Sequence, residues 1–201
     1  MNQLPNAVLG AIILVVLLPC IYFAARIATA IGDAWGAYRL APLAPLIDGI
    51  VDRNGPYIVG KFGGYKLRVT FCPKEPGGSG DDTINAFRIH VLDVPGQHHW
   101  CVPFEATGRF GFGFKAPHIE AQHDALRERL KRSGALQLVE SVSKPSAAYV
   151  TVVYDPRQRT LTYVNDVSPH TIPSREDFAK QLALVAKLIA LNAKLNPPAS
   201  L

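Results

Sequence analysis

The sequence predicts an α+β protein. A single N-terminal transmembrane helix is followed by antiparallel sheet, about six or seven strands, covered by two helices of which the last is long and C-terminal. Three observations carry this. Of 201 residues, 48% are hydrophobic and only 18% charged, against ~25% charged in an ordinary globular chain. The shortfall has an address, because residues 7–25 (AVLGAIILVVLLPCIYFAA) run nineteen positions without a charge. Further on, short alternating runs come in groups before each of two helical patterns, an order that argues against a βαβ wheel. The hydrophobic content excludes disorder, and three cysteines are too few for a disulfide-stapled mini-domain.

At ~1.5 Å per residue the uncharged run nearly spans the ~30 Å hydrocarbon core. Pro19 is tolerated in such a helix, and Tyr22 and Phe23 sit near its end, where Tyr suits the interface. A cleaved signal peptide is the alternative, with Ala28-Thr29-Ala30 as a mimic of a cleavage site. It lacks a basic start and has too long an apolar stretch. Arg26 and Arg39 follow the run and no basic residue precedes it. The positive-inside rule therefore places the C-terminal side in the cytoplasm, where thiols stay reduced. Beyond the run, Ile27, Ile31, Trp35 and Tyr38 recur at helical spacing. This stripe suits either the headgroups or a partner, or packing on the protein's own domain. Residues 1–40 thus read as anchor and juxtamembrane helix, 41–56 with Pro42 and Pro45 as linker, and 57–201 as the soluble domain.

In that domain, residues 66–72 alternate with Leu67, Val69 and Phe71 on one side. Residues 85–94 and 98–105 read as a hairpin about Pro95-Gly96. A helix over 117–133 is expected to bury Ile119, His123, Leu126 and Leu130, with Gly134 as its stop. Residues 147–154 and 160–164 form a second hairpin about Asp155-Pro156. Ser174 caps the final helix, with Asp177 as a variant capping-box partner and Phe178, Leu182, Val185 and Ile189 as core stripe; Pro197-Pro198 end it.

The first hairpin carries a site hypothesis. With Pro95-Gly96 as a two-residue turn, Phe87, Ile89 and Val91 face Phe104, Val102 and Trp100 on one apolar face. His90 then lies opposite Cys101 on the reverse face, beside His99, with Cys72 on a preceding strand. His and Cys are zinc or iron ligands, although no paired ligand spacing accompanies them. Phe110, Phe112 and Phe114 alternate with glycines, as core or as an apolar contact surface; the run departs from the RNA-binding aromatic motif. Arg127, Arg129, Lys131 and Arg132 form a basic cluster, suited to an anionic leaflet or to the dipole of their own helix. Ser141 and Lys144 have S-x-x-K spacing, but neither S-D-N nor K-T-G occurs. The net charge of +5 is too small to argue for nucleic acid. Three functions remain in view: a membrane-anchored accessory or scaffold protein contacting other membrane subunits, an apolar-ligand or lipid-binding module, and an enzyme or metal protein using the His/Cys residues. Which cofactor, if any, the chain uses is unknown from the sequence.

Overall fold

The computed structural model describes residues 6–52, 55–72, 86–103, 118–143, 149–166 and 172–197. It is an α+β fold, as the sequence predicts. Helix α1 (Asn6–Leu40) leads into a 3-10 helix (Ala41–Ile47). Strands β1 (Ile50–Asp52), β2 (Tyr57–Phe62), β3 (Tyr65–Cys72), β4 (Ala86–Leu92), β5 (Trp100–Val102) and β6 (Glu120–Ala121) follow. Then come α2 (Asp124–Arg132), α3 (Ala135–Ser143), the pair β7 (Tyr149–Asp155) and β8 (Thr160–Asp166), and α4 (Arg175–Leu195). The eight strands form one sheet in the order β1-β2-β3-β4-β8-β7-β5-β6, every pair antiparallel.

Local chemistry explains the meander. Gly63 and Gly64 both take positive φ (59° and 86°), which a two-residue hairpin turn between β2 and β3 demands. In the β7–β8 turn Asp155 Oδ1 accepts from the Arg157 amide at 2.8 Å. Ser174 caps α4 as its sequence indicates, its Oγ accepting from the Asp177 amide at 3.1 Å and donating to the Asp177 carboxylate at 2.7 Å.

One face of the sheet is the core. Leu67, Val69, Phe71, Phe87, Ile89, Val91, Trp100, Val102, Tyr154 and Tyr163 are buried there with Phe178, Leu182, Val185 and Ile189 of α4. The expected inward residues of β3 and α4 are therefore the observed ones. Burying each such aliphatic side chain is worth ~1.5–3 kcal/mol, which is why these periodic patterns hold.

The first hairpin does not form. Phe87, Ile89 and Val91 pair with Asn165, Tyr163 and Leu161 of β8, while Trp100 pairs with Tyr154 of β7. The β7–β8 hairpin is inserted between β4 and β5. The reason is chemical: Pro95 locks a negative φ where a tight hairpin turn needs positive ones. Asp93 takes the positive φ instead (62°), and Val94 donates to Arg159 O at 2.8 Å, so the chain leaves along the β7–β8 turn. The connection is then fixed to α4. Asn192 accepts from Trp100 Nε1 and donates to Pro95 O, both at 2.7 Å. Asn196 Oδ1 accepts from the amides of Gln97 (3.1 Å) and His98 (3.0 Å), and its Nδ2 donates to His98 O at 2.8 Å.

Three other expectations change. Residues 41–56, read as a linker, contain the 3-10 helix and β1, with Leu43, Ala44 and Ile47 buried. The backbone of Gly60 runs so close under Ile47 O that a Cβ would come within 2.3 Å of it. The middle helix begins only at Asp124, after β6; Leu126 and Leu130 are buried as expected, but His123 is its exposed N-cap. Gly134 does end α2 with φ 79°, yet α3 starts at the next residue, giving one more covering helix than expected.

Candidate functional site

Helix α1 is 35 residues long, ~52 Å at 1.5 Å per residue, so ~20 Å of it exceeds a bilayer core. It is long and apolar enough, by length and composition, to cross a membrane near the N-terminus. Its last turns dock on the domain through Gly36, Ala37 and Leu40, all buried. Gly36 is needed there, because a Cβ would lie 2.6 Å from Cβ of Pro56. At ~100° per residue these three positions lie opposite the Ile27, Ile31, Trp35 and Tyr38 stripe. The stripe accordingly remains open, at 59%, 63%, 50% and 80% exposure. Arg39 stacks on Trp35, its guanidinium 4.7 Å from the ring centre. Of the two readings of the stripe, packing on the protein's own domain is not the one observed.

The outer face of the sheet carries one continuous row of paired residues: Ile50, Val59, Arg68, His90, Thr162, Val153, Cys101 and Glu120. His90 and Cys101 thus share a face, as the sequence suggests, but β8 and β7 separate them by three strand spacings, ~14 Å. His90 Nδ1 lies 3.2 Å from Thr162 Oγ1. Burial holds its pKa below the ordinary value, reinforced by Arg88 and Arg68. Cys101 is a free thiol, its Sγ 3.4 Å from Glu120 Oε2. Burial and that carboxylate push the thiol up to about 12, which makes it inert rather than nucleophilic. His99 is exposed on the β5 approach, its amide donating to Gln122. Among the described residues no three His, Cys, Asp or Glu side chains converge on a metal position. The backbone of Cys72 pairs with Ala86 in β3–β4. Phe110, Phe112 and Phe114 lie outside the described residues.

The basic cluster sits on α2, beside β6 at the sheet edge opposite α1. Arg127 pairs with Asp124 at 2.7 Å and Lys131 with Glu128 at 3.1 Å, while Arg129 and Arg132 are exposed.

A cavity of about 720 Å³ lies between α3 and α4 and reaches the end of β8. Leu138, Val142, Ile172 and Leu184 give it apolar walls, and its size is that of a ligand pocket. Two amides reach it from the core side, Asn165 of β8 and Gln181 of α4, 5% and 3% exposed. Among the described residues neither Asn165 Oδ1 nor Gln181 Oε1 has a hydrogen-bond partner, an arrangement that costs free energy unless something pairs with them. At the rim Lys180 is held by Glu176 (2.8 Å) and Asp177 (3.9 Å). The sequence did carry a signal for this cleft. Asn165 occupies an inward position of the Leu161-Tyr163-Asn165 alternation, and Gln181 an inward position beside Phe178 and Leu182.

Comparison of the chain with protein-family models, with curated proteins and with solved structures finds no match.

Proposed function

We propose that the chain is a single-pass membrane-anchored accessory protein that binds a neighbouring membrane protein through α1, with the α+β domain on the cytoplasmic side. The observation that carries this reading is the stripe Ile27, Ile31, Trp35 and Tyr38, left open on the helix face opposite the docked Gly36, Ala37 and Leu40. A helix prolonged ~20 Å past the core with an uncovered aromatic end suits a partner helix continuing alongside it. Small residues Ala24 and Ala28 permit close approach on the same side. Arg26 and Arg39 on the C-terminal flank favour the cytoplasmic orientation. The test is purification in mild detergent of the wild type and of a W35S/Y38S variant. The wild type carries a stoichiometric membrane protein that the variant loses while its domain remains folded. A wild type that purifies alone, or a variant that keeps the partner, refutes the reading.

A further inference from the structure

We propose that the α3–α4 cleft is a binding site for the C-terminal end of an aliphatic peptide chain, a function separate from the contact made by α1. Three features select this ligand class. The first is the pair of core-side amides. Asn165 and Gln181 are each more than nine-tenths buried, line the cavity, and have buried oxygens that lack hydrogen-bond partners among the described residues. A primary amide offers both a donor and an acceptor, so its complement is a group that also carries both. The peptide bond does so. A hydrocarbon chain or a sterol body offers nothing to two such groups and leaves them desolvated.

The second feature is the wall. Leu138, Val142, Ile172 and Leu184 are aliphatic, and no aromatic ring lines the cavity among the described residues. Branched aliphatic side chains therefore fit better than flat rings. The third is the charge at the rim. Asp177 is engaged by Ser174 and Lys180, so it is not set aside for an ammonium group. Lys187, exposed on the same wall, has no carboxylate within ion-pair distance among the described residues. One unmatched positive charge suits one carboxylate.

The spacing gives a length. Lys187 follows Gln181 by six positions, ~9 Å along the helix at 1.5 Å each. An extended chain covers ~3.3 Å per residue, so about three residues separate a peptide bond held at Gln181 from a carboxylate held at Lys187. A chain terminus and a free oligopeptide share this chemistry. With Asp177 already engaged, the geometry favours the terminus, which brings no ammonium.

The experiment uses the full chain in lipid nanodiscs and titrates N-acetyl-Leu-Ala-Leu with a free carboxylate, read by calorimetry. Saturable binding is expected, weakened at least tenfold in Asn165→Leu and in Gln181→Met. Both variants match the native shape and remove an unpartnered oxygen, so their melting temperatures should hold or rise. Lys187→Gln, a surface change, should weaken the free acid while leaving the C-terminally amidated tripeptide unchanged. N-acetyl-leucine, too short for the span, should bind more weakly than the tripeptide. No saturable binding of the acetylated tripeptide, or equal affinity in the wild type and both amide variants, overturns the proposal. Tighter binding of unacetylated Leu-Ala-Leu overturns the assignment to a chain terminus.

Discussion

Replacing Asn192 with leucine tests whether the link between α4 and the Pro95 connection determines the sheet order. Leucine is close to asparagine in shape, so the change opens little cavity and isolates the polar loss. Two groups lose their partner: the indole N–H of the fully buried Trp100 and the carbonyl of Pro95, each 2.7 Å from the Asn192 amide. The Asn196 amide loses a 3.1 Å bond to Asn192 but keeps His98 O. An unsatisfied buried group costs ~1–3 kcal/mol; the indole N–H bears that in full, while Pro95 is only half-buried and adds less, so the two together cost ~1–4 kcal/mol. A domain of about 150 residues is stable by only ~7–20 kcal/mol, and at ~2–4 °C per kcal/mol the melting temperature should fall by ~2–16 °C. The chain has two tryptophans. A Trp35→Phe background therefore leaves Trp100 as the reporter, and its fluorescence should follow the transition. Asn196→Ala should cost less, because the Gln97 side of its network is exposed and water can replace part of the bonding. A loss below about 1 kcal/mol in Asn192→Leu would show that the β5 position is fixed by apolar pairing alone.

Two further outcomes follow from the outer face. Cys101, in a background lacking Cys20 and Cys72, should alkylate with iodoacetamide at pH 8 orders of magnitude more slowly than after denaturation, since a thiol at about 12 is almost wholly protonated there. Glu120→Gln should speed the reaction, and a native rate equal to the denatured one would be inconsistent with the Glu120 contact. His90 has a folded pKa below its ordinary value of about 6.5. Below that value the unfolded chain takes up a proton that the folded protein resists, so this contribution to stability is complete above pH ~6.5 and declines as the pH falls toward the folded pKa. Stability measured from pH 7 to 5 should decline less in His90→Gln; identical slopes would remove His90 as the cause.

Much of the fold was legible where pattern and local chemistry agreed. The alternation of β3, the Asp155-Pro156 turn and the Ser174 cap each act within a few residues, and each sits where the sequence places it. The pairing of β4 was not legible, because its determinants lie far apart in sequence: Asn192 reaches Pro95 across 97 positions. Two runs of inward apolar residues looked like partners because both belong to the same face of one sheet. Helix α3 was missed because Gly134 reads as an ending and is one, while nothing local announces a new helix at Ala135. The direct opposition of His90 and Cys101 went with the hairpin that implied it, although the shared face survived. The α1 stripe was legible from spacing, but which surface it faces depended on the docking of Gly36 against Pro56.

The placement of α1 also relates the two proposed surfaces. Phe71 donates to Pro56 O, pairs with Phe87, and Phe87 pairs with Asn165. The point where Gly36 touches Pro56 therefore lies at the same end of the strands as the buried amide of the cleft. From the β2 edge to β8 is three strand spacings, ~14 Å, a gap that about four or five extended residues cross. A protein held along the α1 stripe would need a segment that passes around the helix and covers at least that ~14 Å to place a terminus in the cleft. The stripe and the cleft nevertheless use separate residues on separate elements, so their tests are independent. W35S/Y38S should leave tripeptide affinity intact, and Gln181→Met should leave the membrane partner bound. If both surfaces serve one partner, Gln181→Met should accelerate its dissociation while the W35S/Y38S variant loses it altogether. If they serve different ligands, the Gln181 change has no effect on that rate.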